Sequence, residues 1–131
     1  MSKRSIYLAA IAVLLLPFQR AVAQRTTTVW RGLSRCVAAD HPCSDEQVIY
    51  RVAVASDTSR RVMTAAKIVG KDTVDMGTLT LTRDASSDEW VARLPSGVWR
   101  FQIGRDSLSG TLTVNDGAIM RRVSASPLYR K

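Results

Sequence analysis

Leu108, Gly110, Leu112 and Val114 alternate with Ser109, Thr111 and Thr113. A period of two sends successive side chains to opposite faces, so this stretch reads as a strand with one buried side. The pattern recurs. Trp99, Phe101 and Ile103 alternate with Val98, Arg100 and Gln102, and Trp90, Ala92 and Leu94 repeat it just upstream. Val48, Tyr50, Val52 and Val54 share a face opposite Arg51. Short runs rich in Val, Thr, Ile and Trp return between turn signals, and no long segment carries a helical period. That is the signature of an all-β chain.

The remaining runs complete the count. Residues 26–31 form a first strand, and residues 32–47 an irregular loop carrying both cysteines. Residues 61–69 alternate less cleanly; Ala65-Ala66-Lys67 also suits a helix, and a strand is preferred. Residues 74–82 change phase, because Val74 and Met76 share one parity while Leu79 and Leu81 share the other. A β-bulge at Gly77 would restore one apolar face. Asn115-Asp116-Gly117 suits a type I′ hairpin turn, and residues 118–125 make the last strand. Residues 127–131 read as a loose basic tail. The result is an antiparallel up-and-down meander of about eight strands, enough for a small closed or nearly closed barrel. An open curled sheet or a two-sheet sandwich uses the same strands.

The N-terminus sets the compartment. Lys3 and Arg4 precede an apolar run from Ile6 to Phe18, and Ala21-Val22-Ala23 supplies small residues before Gln24. A basic head, a short apolar stretch and an A-x-A site make a signal peptide over residues 1–23, leaving one β-barrel domain over residues 24–131. Export to the periplasm or beyond follows, with no transmembrane segment once the leader is cleaved. In such a compartment Cys36 and Cys43 read as a disulfide. The competing metal site, Cys36 and Cys43 with His41, lacks a fourth ligand.

Loss of Lys3, Arg4 and Arg20 lowers the formal net charge of +8 to about +5. That excess is moderate and spread along the chain. It suits weak contact with an anionic surface and gives no reason to expect a nucleic-acid partner. Chemistry-bearing patterns are sparse. His41 is the one histidine, beside Asp40, and Ser44 lacks the setting of a nucleophile. Asp45 and Glu46 are neighbours without calcium-loop spacing. No phosphate-binding glycine loop or zinc-protease motif occurs. The expectation is a protein that is not an enzyme, with no metal and no cofactor.

Trp90, Trp99 and Phe101, with Tyr50 on an earlier strand, are the candidates to line a ligand cavity if their faces turn inward together. Within the last strand, Ile119, Arg121 and Val123 share a parity, which brings an arginine to the apolar face. The leader, the Trp30-Arg31-Gly32 opening, the long first loop and the run of hairpins together resemble the lipocalin-like calycins. The segment from Gly97-Val98-Trp99-Arg100-Phe101 to Gly110-Thr111-Leu112-Thr113 is also similar to small exported bacterial proteins. The calycin resemblance implies a barrel in which Trp30 packs against Arg121 or Arg122. It implies an exported, non-enzymatic binder of a small apolar or amphipathic molecule. The alternative is a structural or interaction module with a filled core and a basic surface.

Overall fold

The computed structural model describes residues 26–40 and 42–128. The expected leader, His41 and most of the expected basic tail lie outside the described residues. Eight strands follow in order: β1 (Thr27–Cys36), β2 (Glu46–Val54), β3 (Arg60–Val69), β4 (Asp72–Asp84), β5 (Glu89–Leu94), β6 (Gly97–Ile103), β7 (Leu108–Val114) and β8 (Ile119–Pro127). Each pairs antiparallel with the next, and β8 returns to β1. The meander is a closed barrel, so neither the open sheet nor the sandwich is formed.

Several strands outrun the pattern that predicts them, β1 and β2 among them. β1 continues to Cys36 and β2 begins at Glu46, which shortens the cysteine loop to residues 37–45. The extension is invisible as alternation because its inward positions, Gly32 and Ser34, are not large apolar residues. Ladders to both β2 and β8 hold it instead. The Ala65-Ala66-Lys67 segment is strand, since β2 and β4 pair with it on both sides. Tertiary pairing here overrides the helix preference of alanine.

The phase change in β4 is a β-bulge. Ala65 pairs with Gly77 and Ala66 with Asp75, leaving Met76 as the extra residue. Gly77 takes φ +101°, and its N–H donates to Asp75 Oδ1 at 2.8 Å. Leu79 and Leu81 thereby join Met63 on the inner face. The 115–117 turn differs from the type I′ expectation, which needs positive φ at two residues. Among these residues only Gly117 has it, at 87°. Gly117 N–H donates to Val114 O at 2.9 Å. This is the three-residue hairpin form, with glycine in the left-handed position.

Apolar side chains fill the interior: Trp30, Val48, Met63, Leu81, Phe101 and Leu108 are each at most 2 % exposed. The outer face carries Arg31, Arg51, Arg93, Gln102, Ser109 and Arg122, all exposed. A barrel embedded in lipid has the reverse arrangement, apolar outside.

Phe101 is fixed from three sides. Its ring stacks on Trp99 with centroids 5.3 Å apart, and meets Tyr50 edge-on at 6.1 Å. On the third side it lies over Gly110, where an added Cβ would come within 2.5 Å of the ring. Glycine at 110 is therefore a packing requirement of the aromatic cluster. Gly110→Ala should cost about 1–3 kcal/mol by overpacking. Urea unfolding should show a lower midpoint at unchanged slope. An unshifted midpoint would mean that Phe101 moves freely.

Candidate functional site

The barrel is packed unevenly along its axis. Four connections, β1–β2, β3–β4, β5–β6 and β7–β8, gather at one end, here termed the mouth. Towards the other end Trp30, Leu81, Trp90 and Leu108 fill the interior. Towards the mouth the inward residues shrink to Ser34, Ala65 and Gly77, and a cavity of about 250 Å³ remains. Tyr50, Trp99 and Phe101 line it together with Leu79, Leu94 and Leu112. The stacked Trp99–Phe101 pair makes its aromatic wall.

Trp90 is not among the lining residues. It is 7 % exposed and lies in the core beside Phe101, its partner across β5 and β6. The Arg61 guanidinium covers its ring at 4.3 Å from the centroid, a cation–π contact. Burial, and then the charge of Arg83, holds the Arg61 pKa below its ordinary value.

Arg121 brings the polar groups together. Its side chain is 13 % exposed. Nη1 donates to Ser34 Oγ at 3.2 Å and to the Ser44 carbonyl at 3.1 Å. It also stands 3.7 Å from Glu46 Oε2. Glu46 Oε1 accepts from Lys67 Nζ at 3.5 Å. Cys36 and Cys43 form a disulfide with their Cα atoms 5.6 Å apart, and Cys36 N–H donates to Asp45 Oδ1 at 2.9 Å. The cysteine loop is thus stapled covalently and tied to β8 through Ser44 and Arg121. Asp45 and Glu46 are committed to these contacts. Asp40 is exposed in the same loop. Among the described residues no group of three or more His, Cys, Asp and Glu side chains could hold a metal ion.

Trp30 does not meet Arg121. Trp30 lies opposite Pro127 in the β1–β8 ladder, whereas Arg121 lies opposite Cys36. Six residues of strand, about 20 Å, separate the two positions. Arg122, one residue on, is exposed on the outer face opposite Arg35. The register places Trp30 at the packed end, where it is 2 % exposed with its indole Nε1 unpartnered. A hollow of about 340 Å³ lies beside it, bordered also by Thr26, Thr28, Arg61 and Arg105. Polar and charged groups interrupt the apolar surface there.

The mouth cavity also touches a gap in the wall. β4 and β5 pair only through Thr82, Arg83 and Asp84 with Val91, Trp90 and Glu89. The rest of β4 has no ladder on that side. A bulge bends its strand, and β5 has only 6 residues to the 13 of β4. Met76, Gly77, Thr78 and Leu79 border the cavity from one side of the gap and Leu94 from the other. Met76 and Leu94 are 41 % and 40 % exposed.

Several lining residues escape a reading of aromatic content. Ser34, Glu46, Ala65 and Leu112 are small, polar or aliphatic. Their signal is parity: across the ladders Ser34 faces Glu46, Ala65 faces Tyr50 and Leu112 faces both Trp99 and Arg121.

No family model matches the sequence, and no curated protein matches it. Among solved structures the chain is similar to aphrodisin, a sex pheromone from female hamster and a lipocalin, with a TM-score of 0.51 at 10 % sequence identity. The match covers 79 % of this chain and 74 % of that one. At such identity the likeness concerns the fold: the barrel is lipocalin-like. The disulfide points to an exported protein.

Tyr50 supplies a pH test of this packing. Burial raises its pKa well above the ordinary 10.0; Arg121 opposes the shift and Glu46 adds to it. The unfolded chain therefore loses this proton first as pH rises. The stabilisation is complete below about pH 10 and is lost above it. In thermal melts the wild-type midpoint should fall more steeply above that pH than the midpoint of Tyr50→Phe. Parallel profiles would contradict the burial of the phenol.

Proposed function

We propose that this lipocalin-like barrel is an exported, non-enzymatic binding protein that holds one small apolar or amphipathic molecule in its mouth cavity. The carrying observation is the cavity itself, walled by Tyr50, Trp99 and Phe101 and more apolar than the hollow beside Trp30, which Arg61 and Arg105 border. Its volume of about 250 Å³ is close to the lower end of ligand pockets, roughly 300–1,000 Å³, so the occupant is small. The stacked rings offer a flat apolar surface. Trp90 supports Phe101 from the core side. Arg121 donates to Ser34 and pairs with Glu46 at the mouth, an arrangement suited to holding a polar head.

The setting belongs to the same reading. Residues 1–23 are the leader, removed after Ala23, and residues 24–131 are the mature domain, periplasmic or secreted. The spread of exposed arginines adds weak attraction to anionic surfaces.

Displacement of an environment-sensitive naphthylamine dye by medium-chain amphiphiles tests the proposal. The wild type should show saturable displacement at micromolar concentrations. Ala65→Leu, which grows into the cavity, should abolish it while keeping or raising the denaturation midpoint, because filling a void adds contacts. Absence of saturable displacement favours the interaction module with a filled core, and undiminished displacement in Ala65→Leu places the ligand elsewhere.

A further inference from the structure

We infer that the mouth cavity selects an uncharged amphiphile, an alcohol or ketone recognised through its oxygen, over a carboxylate of equal chain length. This rests on the binding reading above and specifies its ligand class. Two charged side chains line the cavity, Arg121 and Glu46, and they are of opposite sign. Their closest atoms, Nη1 and Oε2, stand 3.7 Å apart, so each largely neutralises the other. Nη1 is taken by Ser34 Oγ and the Ser44 carbonyl. A guanidinium carries five N–H donors, and those on Nε and Nη2 remain for a ligand oxygen.

The second polar partner is Tyr50. Its side chain lines the cavity at 4 % exposure, and among the described residues no hydrogen bond reaches its hydroxyl. Among the described residues Trp30 Nε1 is the one buried side-chain polar atom without a partner, so the Tyr50 hydroxyl opens into the cavity, where a ligand oxygen can bond it in place of water. A phenol is protonated at neutral pH, and burial moves its pKa still further above that range. A ligand head therefore meets a neutral phenol that both donates and accepts, and guanidinium groups that only donate. An alcohol or carbonyl oxygen satisfies both while its chain lies along Trp99, Phe101 and Leu112.

A carboxylate head fares worse. It brings a second negative charge beside Glu46, with one guanidinium lining the cavity to offset both. Lys67 also approaches Glu46, but it does not line the cavity, and its side chain is 36 % exposed. Water and salt screen its charge. Asp45, on the same rim beyond the lining, adds a further negative charge whose Oδ1 accepts the Cys36 N–H.

The test is calorimetric titration of the purified protein at neutral pH with octanol, methyl hexyl ketone and octanoate. Octanol and the ketone should bind about tenfold more tightly than octanoate. Tyr50→Phe keeps the ring against Phe101 and removes only the hydroxyl. It should weaken octanol about fivefold, the scale of one hydrogen bond, and change octanoate little. Glu46→Gln should strengthen octanoate about tenfold by removing the like charge. Octanoate binding as tightly as octanol, or failing to respond to Glu46→Gln, overturns the head-group inference and leaves the binding reading standing. If none of the three binds, the binding reading itself fails.

Discussion

The return of β8 onto β1 is the contact on which the molecule depends, and it has almost no clearance. A Cβ at Gly32 would lie 1.9 Å from the Ser124 carbonyl oxygen and 2.5 Å from the Ala125 Cα. Only glycine lets the two backbones run this close. Without that pairing β1 and β8 would be bare sheet edges, a hazard for an exported chain. Closure also sets the address of every polar group in the site. The same register places Arg121 opposite Cys36, beside Ser34 and the stapled loop, and sends Trp30 to the far end. A slip of one residue would turn Arg121 outward and leave the mouth without its cation.

Given closure, the division into a packed end and a hollow end follows from side-chain size. Trp30, Trp90, Leu81 and Leu108 occupy inward positions at one end, and Ser34, Ala65 and Gly77 at the other. A barrel of eight strands has an interior that side chains can fill or that can hold one small ligand. Here large side chains take up most of one half, leaving a polar-edged hollow beside Trp30, and the apolar cavity lies in the other. The bulge at Met76 and Gly77 serves the hollow half twice. It restores the inward facing of Leu79 and Leu81, and it accompanies the divergence of β4 from β5 that brings the cavity to the wall.

Much of the architecture was legible in the sequence, for reasons that can be located. Strands with one buried face announce themselves by alternation, and β6 and β7 pair antiparallel with their alternating apolar residues on one face, Trp99 opposite Leu112 and Ile103 opposite Leu108. The bulge was readable because a parity change with a glycine inside it has few other solutions. The far half of β1 was not, because Gly32 and Ser34 carry no large apolar signal and are held by neighbours distant in sequence. The relation of Trp30 to Arg121 was hidden too. Parity states which face a residue takes, while the level along the axis depends on the β1–β8 register, which local pattern does not encode. The cavity was legible only as aromatic content. That content was divided by the same unseen heights, with Trp99 and Phe101 on the wall and Trp90 behind it. The type of the 115–117 turn turned on one φ angle, which Asp-Gly permits in either form.

The ligand cavity lies at the mouth, away from Trp30 and Trp90, and the three tryptophans sample both ends of the barrel. Proton–nitrogen correlation spectra resolve each indole N–H as a separate reporter. Titration with octanol should shift the Trp99 indole resonance saturably and leave Trp30 and Trp90 nearly in place, since only Trp99 lines the mouth cavity. Saturable movement of the Trp30 resonance with Trp99 unchanged would contradict the account, placing the binding site at the opposite end of the barrel.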